Sequence, residues 1–116
     1  MAIVAAMATA RMRRVNEVMR EVIGVTIGEE LQDPRIGFVT VTAVETSPDL
    51  RHAKVHVSVL GSEQERDASL QALRSAHGVI QRAISSQLTM KRTPTLTFLY
   101  DDSIERADRL NRMLDS

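Results

Sequence analysis

The residues best suited to chemistry lie around Gly78, where two predicted helices meet. Arg74, Gly78 and Arg82 are spaced by four, so on a helix they lie one above another, and Gln81 flanks them. A glycine leaves the backbone open to close approach, and a helix beginning there would present its N-terminal amides and the positive end of its dipole. Amides beside cations favour a phosphodiester ligand. A simple helix break at Gly78, or a close crossing of the two helices, is the alternative that the sequence leaves open.

Charge along the chain adds further candidate contacts to a polyanion. The net charge is zero, with 15 basic and 15 acidic residues, but the signs are separated, and no acid lies between residues 68 and 100. The basic residues of that segment are Arg74, Arg82, Lys91 and Arg92, and a second basic group is Arg11, Arg13 and Arg14. Local potential rather than net charge steers a polyanion, so both groups are predicted to contact one. Solvated helix faces are the alternative interpretation.

Other reactive side chains favour simpler interpretations. His52 and His56 are spaced to lie on one face of a strand, but no third ligand follows a metal-binding pattern, so no metal site is predicted. Asp101, Asp102 and Glu105 are explained by helix capping. The absence of cysteine excludes disulfides and thiol catalysis, and no nucleophile or convergent acid/base pair stands out among the other residues. We therefore expect neither an enzyme nor a bound cofactor.

A pair of strands joined by a turn is predicted between residues 38 and 60. In the second strand, apolar residues at 53, 55, 57 and 59 alternate with polar residues, so one face is buried and the other faces water. The first strand is expected to bury Val39, Val41 and Ala43, and Ser47-Pro48-Asp49 provides the turn. The chain's aromatic residues are Phe38, Phe98 and Tyr100. At least two of them are expected to be buried.

Four helices and a third strand complete the predicted elements. Helices are expected at about residues 8–31, from a Ser62–Glu65 capping box onward, at about residues 79–88 and from residue 102 or 103, with a strand at residues 95–100. Gly24 and Gly28 weaken the second half of the first helix. The residues that the last helix is expected to bury are Ile104, Ala107, Leu110 and Leu114.

Length and hydropathy indicate one folded unit. With 116 residues, of which 43% are hydrophobic, residues 10–116 are predicted to form a single domain and residues 1–9 a flexible N-terminal leader. No apolar run approaches the roughly 18 residues of a membrane helix. The first arginines follow the apolar start of the chain, which is the reverse of the order in a secretory signal. A transit-peptide remnant or a tag is the alternative origin of the leader.

The strand-turn-strand region resembles that of bacterial ribosome-binding factor A. The matching stretches are Asp33-Pro34-Arg35, Val39-Thr40-Val41-Thr42, Ser47-Pro48-Asp49-Leu50 and Ala53-Lys54-Val55-His56-Val57-Ser58-Val59. The order helix, strand, strand, helix, helix, strand, with a C-terminal helix, is that of an α+β type II KH-like fold, in which helices cover one face of a three-stranded sheet. Where ordinary KH domains have a Gly-x-x-Gly loop, this chain has Ala76 and Gly78 in the Ala-x-Gly kink of the resembling family.

The resemblance implies a non-enzymatic assembly factor that binds the free small (30S) ribosomal subunit and its 16S rRNA late in maturation. It also implies help with 16S rRNA processing, growth in the cold and release by a subunit-associated GTPase. We expect a cytoplasmic monomer without membrane contact, whose RNA contacts are the basic residues named above together with Gly78 and Gln81. A protein-interaction adaptor or oligomerisation module without direct RNA binding is the alternative function. Salt dependence of binding separates the two, because phosphate contacts release counterions.

Overall fold

The computed structural model describes the backbone of residues 2–115 and the side chains of residues 10–115. Within this part of the chain there are four helices and one three-stranded sheet. The elements are α1 (Ala2–Glu29), β1 (Phe38–Thr46), β2 (His52–Leu60), α2 (Glu63–Ser75), α3 (His77–Gln87), β3 (Thr95–Tyr100) and α4 (Ser103–Asp115). This order confirms the predicted α+β, KH-like arrangement. None of the described helices is long and apolar enough to cross a membrane.

The sheet is mixed, with the strand order β1-β2-β3. β1 and β2 pair antiparallel, whereas β2 and β3 pair parallel, with His52 opposite Thr95. Parallel neighbours need a long crossover connection, which α2 and α3 provide here. The start of β2 therefore lies beside the start of β3, and the loops that precede these two strands become neighbours in space.

A β-bulge changes the side-chain phase of β1. Val41 pairs with Val57 and Ala43 pairs with His56, so Thr42 is an extra residue between the two pairs. Beyond the bulge Val44 is buried, whereas Ala43 is only half-buried. The prediction that Ala43 is buried is therefore wrong, because strict alternation cannot continue through an inserted residue.

The core lies between one face of the sheet and helices α1, α2 and α3. The four alternating apolar residues of β2, at positions 53, 55, 57 and 59, are buried as predicted, and Phe98 of β3 packs among them at 1% exposure. Tyr100 is half-buried. Phe38, in contrast, is 80% exposed, because it lies opposite the equally exposed Leu60 on the outer face of the sheet. The expectation that two aromatic residues are buried is therefore wrong.

Helix α1 is longer than predicted. It begins at Ala2, ends at Glu29 and passes through Gly24 and Gly28 without a break. Its buried face, which includes Ile23, packs on β1 and α3. Tertiary packing of this kind outweighs the low helix propensity of two glycines. The flexible leader at residues 1–9 stays a prediction, because the side chains of these residues lie outside the described part.

The capping box predicted at the start of α2 is confirmed. The Ser62 hydroxyl accepts a hydrogen bond from the Glu65 N–H (3.1 Å), and the Glu65 carboxylate accepts one from the Ser62 N–H (3.2 Å). On the same helix, the buried Ser69 hydroxyl accepts from the Gly37 N–H (3.1 Å) and donates to the Arg35 carbonyl (3.2 Å). These bonds fasten the loop before β1 to α2.

Helix α4 differs most from its prediction. The residues expected in the core, Ile104, Ala107, Leu110 and Leu114, are all exposed. The inner face of the sheet is already covered by α1, α2 and α3, so no apolar surface remains there for a fourth helix. A hydrogen bond from the Tyr100 hydroxyl to Glu105 connects α4 to the end of β3 instead.

Asp101 links the bulge of β1 to the start of α4. The Thr42 hydroxyl donates to Asp101 Oδ2 (2.7 Å), and the Ser103 N–H donates to Asp101 Oδ1 (3.0 Å). These hydrogen bonds, the one from Thr42 foremost, lower the pKa of Asp101 to about 2. The carboxylate thus stabilises the fold in its charged form.

Replacing Asp101 by Asn should lower the free energy of unfolding at neutral pH by about 1 kcal/mol, with allowance for the solvent that screens a partly exposed carboxylate. A folded pKa below the unfolded value of about 3.9 contributes stability that is complete above about pH 5 and is lost as the pH falls toward 2. Urea unfolding of both proteins should therefore give converging values between about pH 5 and pH 2.

Asp108→Asn on exposed α4 is the matched control and should leave the unfolding free energy unchanged within about 0.5 kcal/mol. A difference between Asp101→Asn and the wild type that stays constant from pH 7 to pH 2 would contradict this role of the charged carboxylate.

Candidate nucleic-acid interface

The predicted kink is a change of helix at Ala76. α2 ends at Ser75 and α3 begins at His77. The Ala76 N–H is shared between the carbonyls of Ala72 (3.0 Å) and Leu73 (3.1 Å), which tightens the last turn of α2. The first hydrogen bond of α3 runs from the Ile80 N–H to the Ala76 carbonyl (3.1 Å). The amides of residues 77–79 precede that bond and have no partner within α3, so they form the positive end of its dipole.

Gly78 lies in open space at this positive end. It is exposed, and a Cβ placed on it would meet nothing within 4 Å. Its backbone also lies outside the left-handed region, which among the described glycines only Gly61 occupies. A close helix crossing therefore does not explain the glycine. An alanine would favour the helix by about 1 kcal/mol, so glycine weakens α3 without relieving any contact in the chain.

Three side chains of the kinked pair contact the free edge of β3. Arg74 Nη2 donates to the Phe98 carbonyl (3.3 Å), and Gln81 Nε2 donates to the Pro94 carbonyl (2.8 Å). Between them the Leu96 N–H donates to His77 Nε2 (3.3 Å). The bonded groups belong to β3 and to Pro94, the residue just before it, and they point away from β2, so the helices satisfy a sheet edge that would otherwise be unpaired.

This edge contact changes the expectation for two predicted site residues. Gln81 is half-buried, and its side-chain amide donates to the Pro94 carbonyl. Its main role is therefore to position α3 and not to contact a ligand. Arg74 remains exposed, but one guanidinium N–H is held by β3. Arg82 is exposed and has neither an ion pair nor a side-chain hydrogen bond to any described residue. Of the predicted row, Arg82 is the cation most available to a ligand.

Lys91 and Arg92 lie in a different place from the kink. They line an open basin of about 310 Å³ together with Asp49, Leu50 and Arg51 of the β1–β2 turn. Sequence reasoning missed Arg51. The parallel pairing of β2 with β3 was the signal that could have found it, because it brings the residue before β2 beside the loop before β3.

The N-terminal arginines, Arg11, Arg13 and Arg14, are all exposed, as predicted. They do not lie at the start of α1, however, because that helix begins at Ala2. Arg13 borders a shallow groove against Thr42 and Val44 of β1. The structure therefore divides the predicted contacts into three groups: the kink, the basin and this face of α1.

The histidines of β2 have separate surroundings. His52 is exposed, whereas His56 Nε2 lies 3.3 Å from the Glu45 carboxylate in an alignment that does not meet hydrogen-bond geometry. Within the described residues, no three His, Cys, Asp or Glu side chains come close enough together to hold a metal ion.

Comparison with known proteins places the chain in a family. The family model for ribosome-binding factor A matches residues 11–114. The chain belongs to the ribosome-binding factor A family. Among relatives of that name, the protein from Thermomicrobium roseum is 48% identical over 108 residues, covering 93% of this chain and 84% of the relative. The protein from Halothermothrix orenii is 46% identical over 104 residues, covering 90% and 85%.

Solved ribosome-binding factor A structures share the fold. The solution structure of a putative member from Thermotoga maritima superposes with a TM-score of 0.73 at 32% identity, covering 82% of this chain and 91% of that one. The crystal structure from Thermus thermophilus gives 0.69 at 28% identity, covering 77% and 94%. A Thermus thermophilus homology model fitted into a cryo-EM map of a 30S complex gives 0.63 at 29% identity, covering 75% and 91%.

Replacing Gln81 by Met, which is similar in size, should lower the free energy of unfolding by about 1 kcal/mol, because the Pro94 carbonyl loses its donor. Denaturant unfolding measures the change, and Gln87→Met is the control, since Gln87 is exposed at the end of the same helix. Equal destabilisation of the two variants would show that the contact to β3 does not fix α3.

Proposed function

We propose that this chain is a non-enzymatic factor that binds the small ribosomal subunit by direct contact with 16S rRNA. It acts as a cytoplasmic monomer late in subunit maturation. Family membership supports this proposal, as does the Thermus thermophilus relative that was fitted into the map of a 30S complex at 29% identity to this chain.

The open backbone at Gly78 is the observation that carries the proposal. A phosphate needs donors that converge without a side chain in the way, and the amides of residues 77–79 beside a bare Cα provide them. Arg82 follows one turn later with its guanidinium unpaired among the described residues. The bonds from Arg74 and Gln81 to β3 hold α2 and α3 so that this end of α3 stays exposed. The site is thus preorganised for an anion.

The finer steps of the proposed function rest on the resemblance to the family. They are assistance with processing of the 16S rRNA 5′ end, support of growth in the cold and release from the mature subunit by a GTPase. Release from the mature subunit needs an interface that can be weakened, and contacts made largely to phosphates have this property because their affinity falls steeply with salt.

Arg82→Gln should weaken binding to purified small subunits and lower the slope of log affinity against log salt by about 0.7 to 0.9, the value of one phosphate contact. The measurement is a binding titration at several KCl concentrations. Lys54→Gln is the control, because Lys54 is an exposed cation on the outer face of the sheet. Identical slopes for the wild type and Arg82→Gln would remove this arginine from the interface.

A series at Gly78 separates backbone approach from helix propensity. Gly78→Ala should raise the free energy of unfolding by about 0.5–1 kcal/mol, since the methyl group meets nothing, yet weaken subunit binding. Gly78→Leu should weaken binding further. Gly24→Ala is the control, because Gly24 is also exposed on a helix with nothing within 4 Å of a Cβ, and it should gain stability without losing affinity. Equal affinities across the Gly78 series would exclude backbone approach.

A protein-interaction module is the second candidate function, and helix α4 favours it. Ile104, Leu110 and Leu114 are 66%, 56% and 74% exposed on a helix that buries none of its residues. A protein partner could cover such a face. Binding of this kind would depend weakly on salt and would be lost when these residues become polar, whereas binding through phosphates would keep its steep salt dependence.

A further inference from the structure

The basin at the tip of the β1–β2 hairpin concentrates positive charge, with three cations lining it against one carboxylate. Arg51 from the turn and Lys91 and Arg92 from the loop before β3 line it together. A backbone bond from the Thr95 N–H to the Arg51 carbonyl (2.8 Å) holds the two loops beside each other. All three cationic residues are exposed. Like charges gathered at an exposed site repel one another unless an anion from outside compensates them.

These cations differ from many others in the described part of the chain. Arg20 pairs with Glu17, Arg35 with Asp33 and Arg106 with Asp102. In contrast, Arg51, Lys91 and Arg92 have no ion-pair partner among the described residues. The basin therefore keeps an excess of positive charge, since Asp49 is its one acid against three cations.

The one carboxylate in the basin is occupied by the turn. Asp49 Oδ1 accepts hydrogen bonds from the Ser47 hydroxyl (2.6 Å) and from the Arg51 N–H (3.0 Å). The bond from Ser47 is the main cause that lowers the pKa of Asp49, so the group is charged at neutral pH. The charge of Arg51 also helps to lower this pKa, but no ion pair or side-chain hydrogen bond joins the two groups, so the guanidinium of Arg51 remains available to a ligand.

The turn itself contains a residue in an unusual conformation. Leu50 has φ 59°, in the left-handed region that glycine and asparagine occupy more readily. A leucine is a costly choice there if only chain reversal matters, and its side chain forms the apolar part of the basin lining. An apolar surface between cations suits a ligand that carries phosphate and sugar together.

We propose that this basin is a second RNA-backbone site, in which Arg51 contacts a phosphate together with Lys91 and Arg92. The inference rests on the proposed function, because it extends the interface from the kink along α3. That helix has 11 residues, so its axis spans about 16 Å, and no acid occurs in the sequence between residues 68 and 100, so α3 itself adds no negative charge to the path. Gly78 at the start of α3, Arg82 in its middle and the basin beyond its other end would thus follow one strand of RNA backbone.

The test is a salt titration of binding between the full chain and purified small subunits, with three variants. Arg51→Gln should weaken binding several-fold and lower the salt slope by about one phosphate contact. Asp49→Asn should strengthen binding a few-fold, because it removes the basin's only carboxylate among the described residues, while Asn Oδ1 can still accept both turn hydrogen bonds. Lys54→Gln is the control. A gain of affinity in Asp49→Asn cannot arise from a damaged fold.

The outcomes distinguish the basin from the kink. If Arg51→Gln and Asp49→Asn both bind like the wild type while Arg82→Gln binds more weakly, the proposed RNA site in the basin is overturned and the proposed function stands. If binding of the wild type does not depend on salt, the proposed contact with 16S rRNA is overturned, and the proposed RNA site in the basin is overturned with it. Loss of one phosphate contact in Arg51→Gln, with tighter binding by Asp49→Asn, is the result expected.

Discussion

The contact between the kinked helix pair and the free edge of β3 is the constraint on which the rest of the structure depends. An edge strand exposes unpaired backbone groups, and here the side chains of Arg74, His77 and Gln81 pair with three of them. Because these residues lie on both sides of Ala76, the two helices cannot slide independently along the strand. The start of α3 is thereby held in a defined position, with Gly78 outward.

The surface has regions where arginines pair with acids and regions where they do not, although the net charge of the chain is zero. Arg20 on α1, Arg35 in the loop before β1 and Arg106 on α4 each pair with a nearby acid. Around α3 and the hairpin tip, Arg51, Arg82 and Arg92 have no such partner among the described residues. A protein with balanced charge can therefore offer one strongly positive region to a polyanion, with acids elsewhere limiting nonspecific attraction.

Local chemistry predicted much of the fold, and long-range packing explains the failures. The Ser62 capping box and the alternation of β2 are decided by neighbouring residues, so both were predictable. Thr42 at the bulge donates a hydrogen bond to Asp101, which is 59 residues away, so no pattern of neighbouring residues indicates this contact. The exposure of α4 depends on the other helices having covered the sheet. An amphipathic pattern shows that a helix has an apolar face, but not that the fold contains a surface to receive it.

Only part of the candidate site could be predicted, because the rest of it also depends on contacts between residues far apart in the sequence. Spacing along one helix brought Gly78 and Arg82 together, but it could not show that Gln81 turns toward Pro94. Arg51 was not predicted as a site residue, because only the pairing of β2 with β3 brings it beside Lys91 and Arg92. The choice between close helix crossing and an open backbone at Gly78 also needed the structure, since it depends on what surrounds the missing Cβ.

Hydrogen exchange of the full chain, free and bound to purified small subunits, tests most directly whether the start of α3 is the RNA contact. The amides of residues 77–79 have no partner within α3, so in the free protein they should exchange quickly. Binding to the subunit is expected to slow exchange at residues 77–82 and at the basin residues 49–51 and 91–92. Slowed exchange confined to α4, with residues 77–82 unchanged, would contradict it.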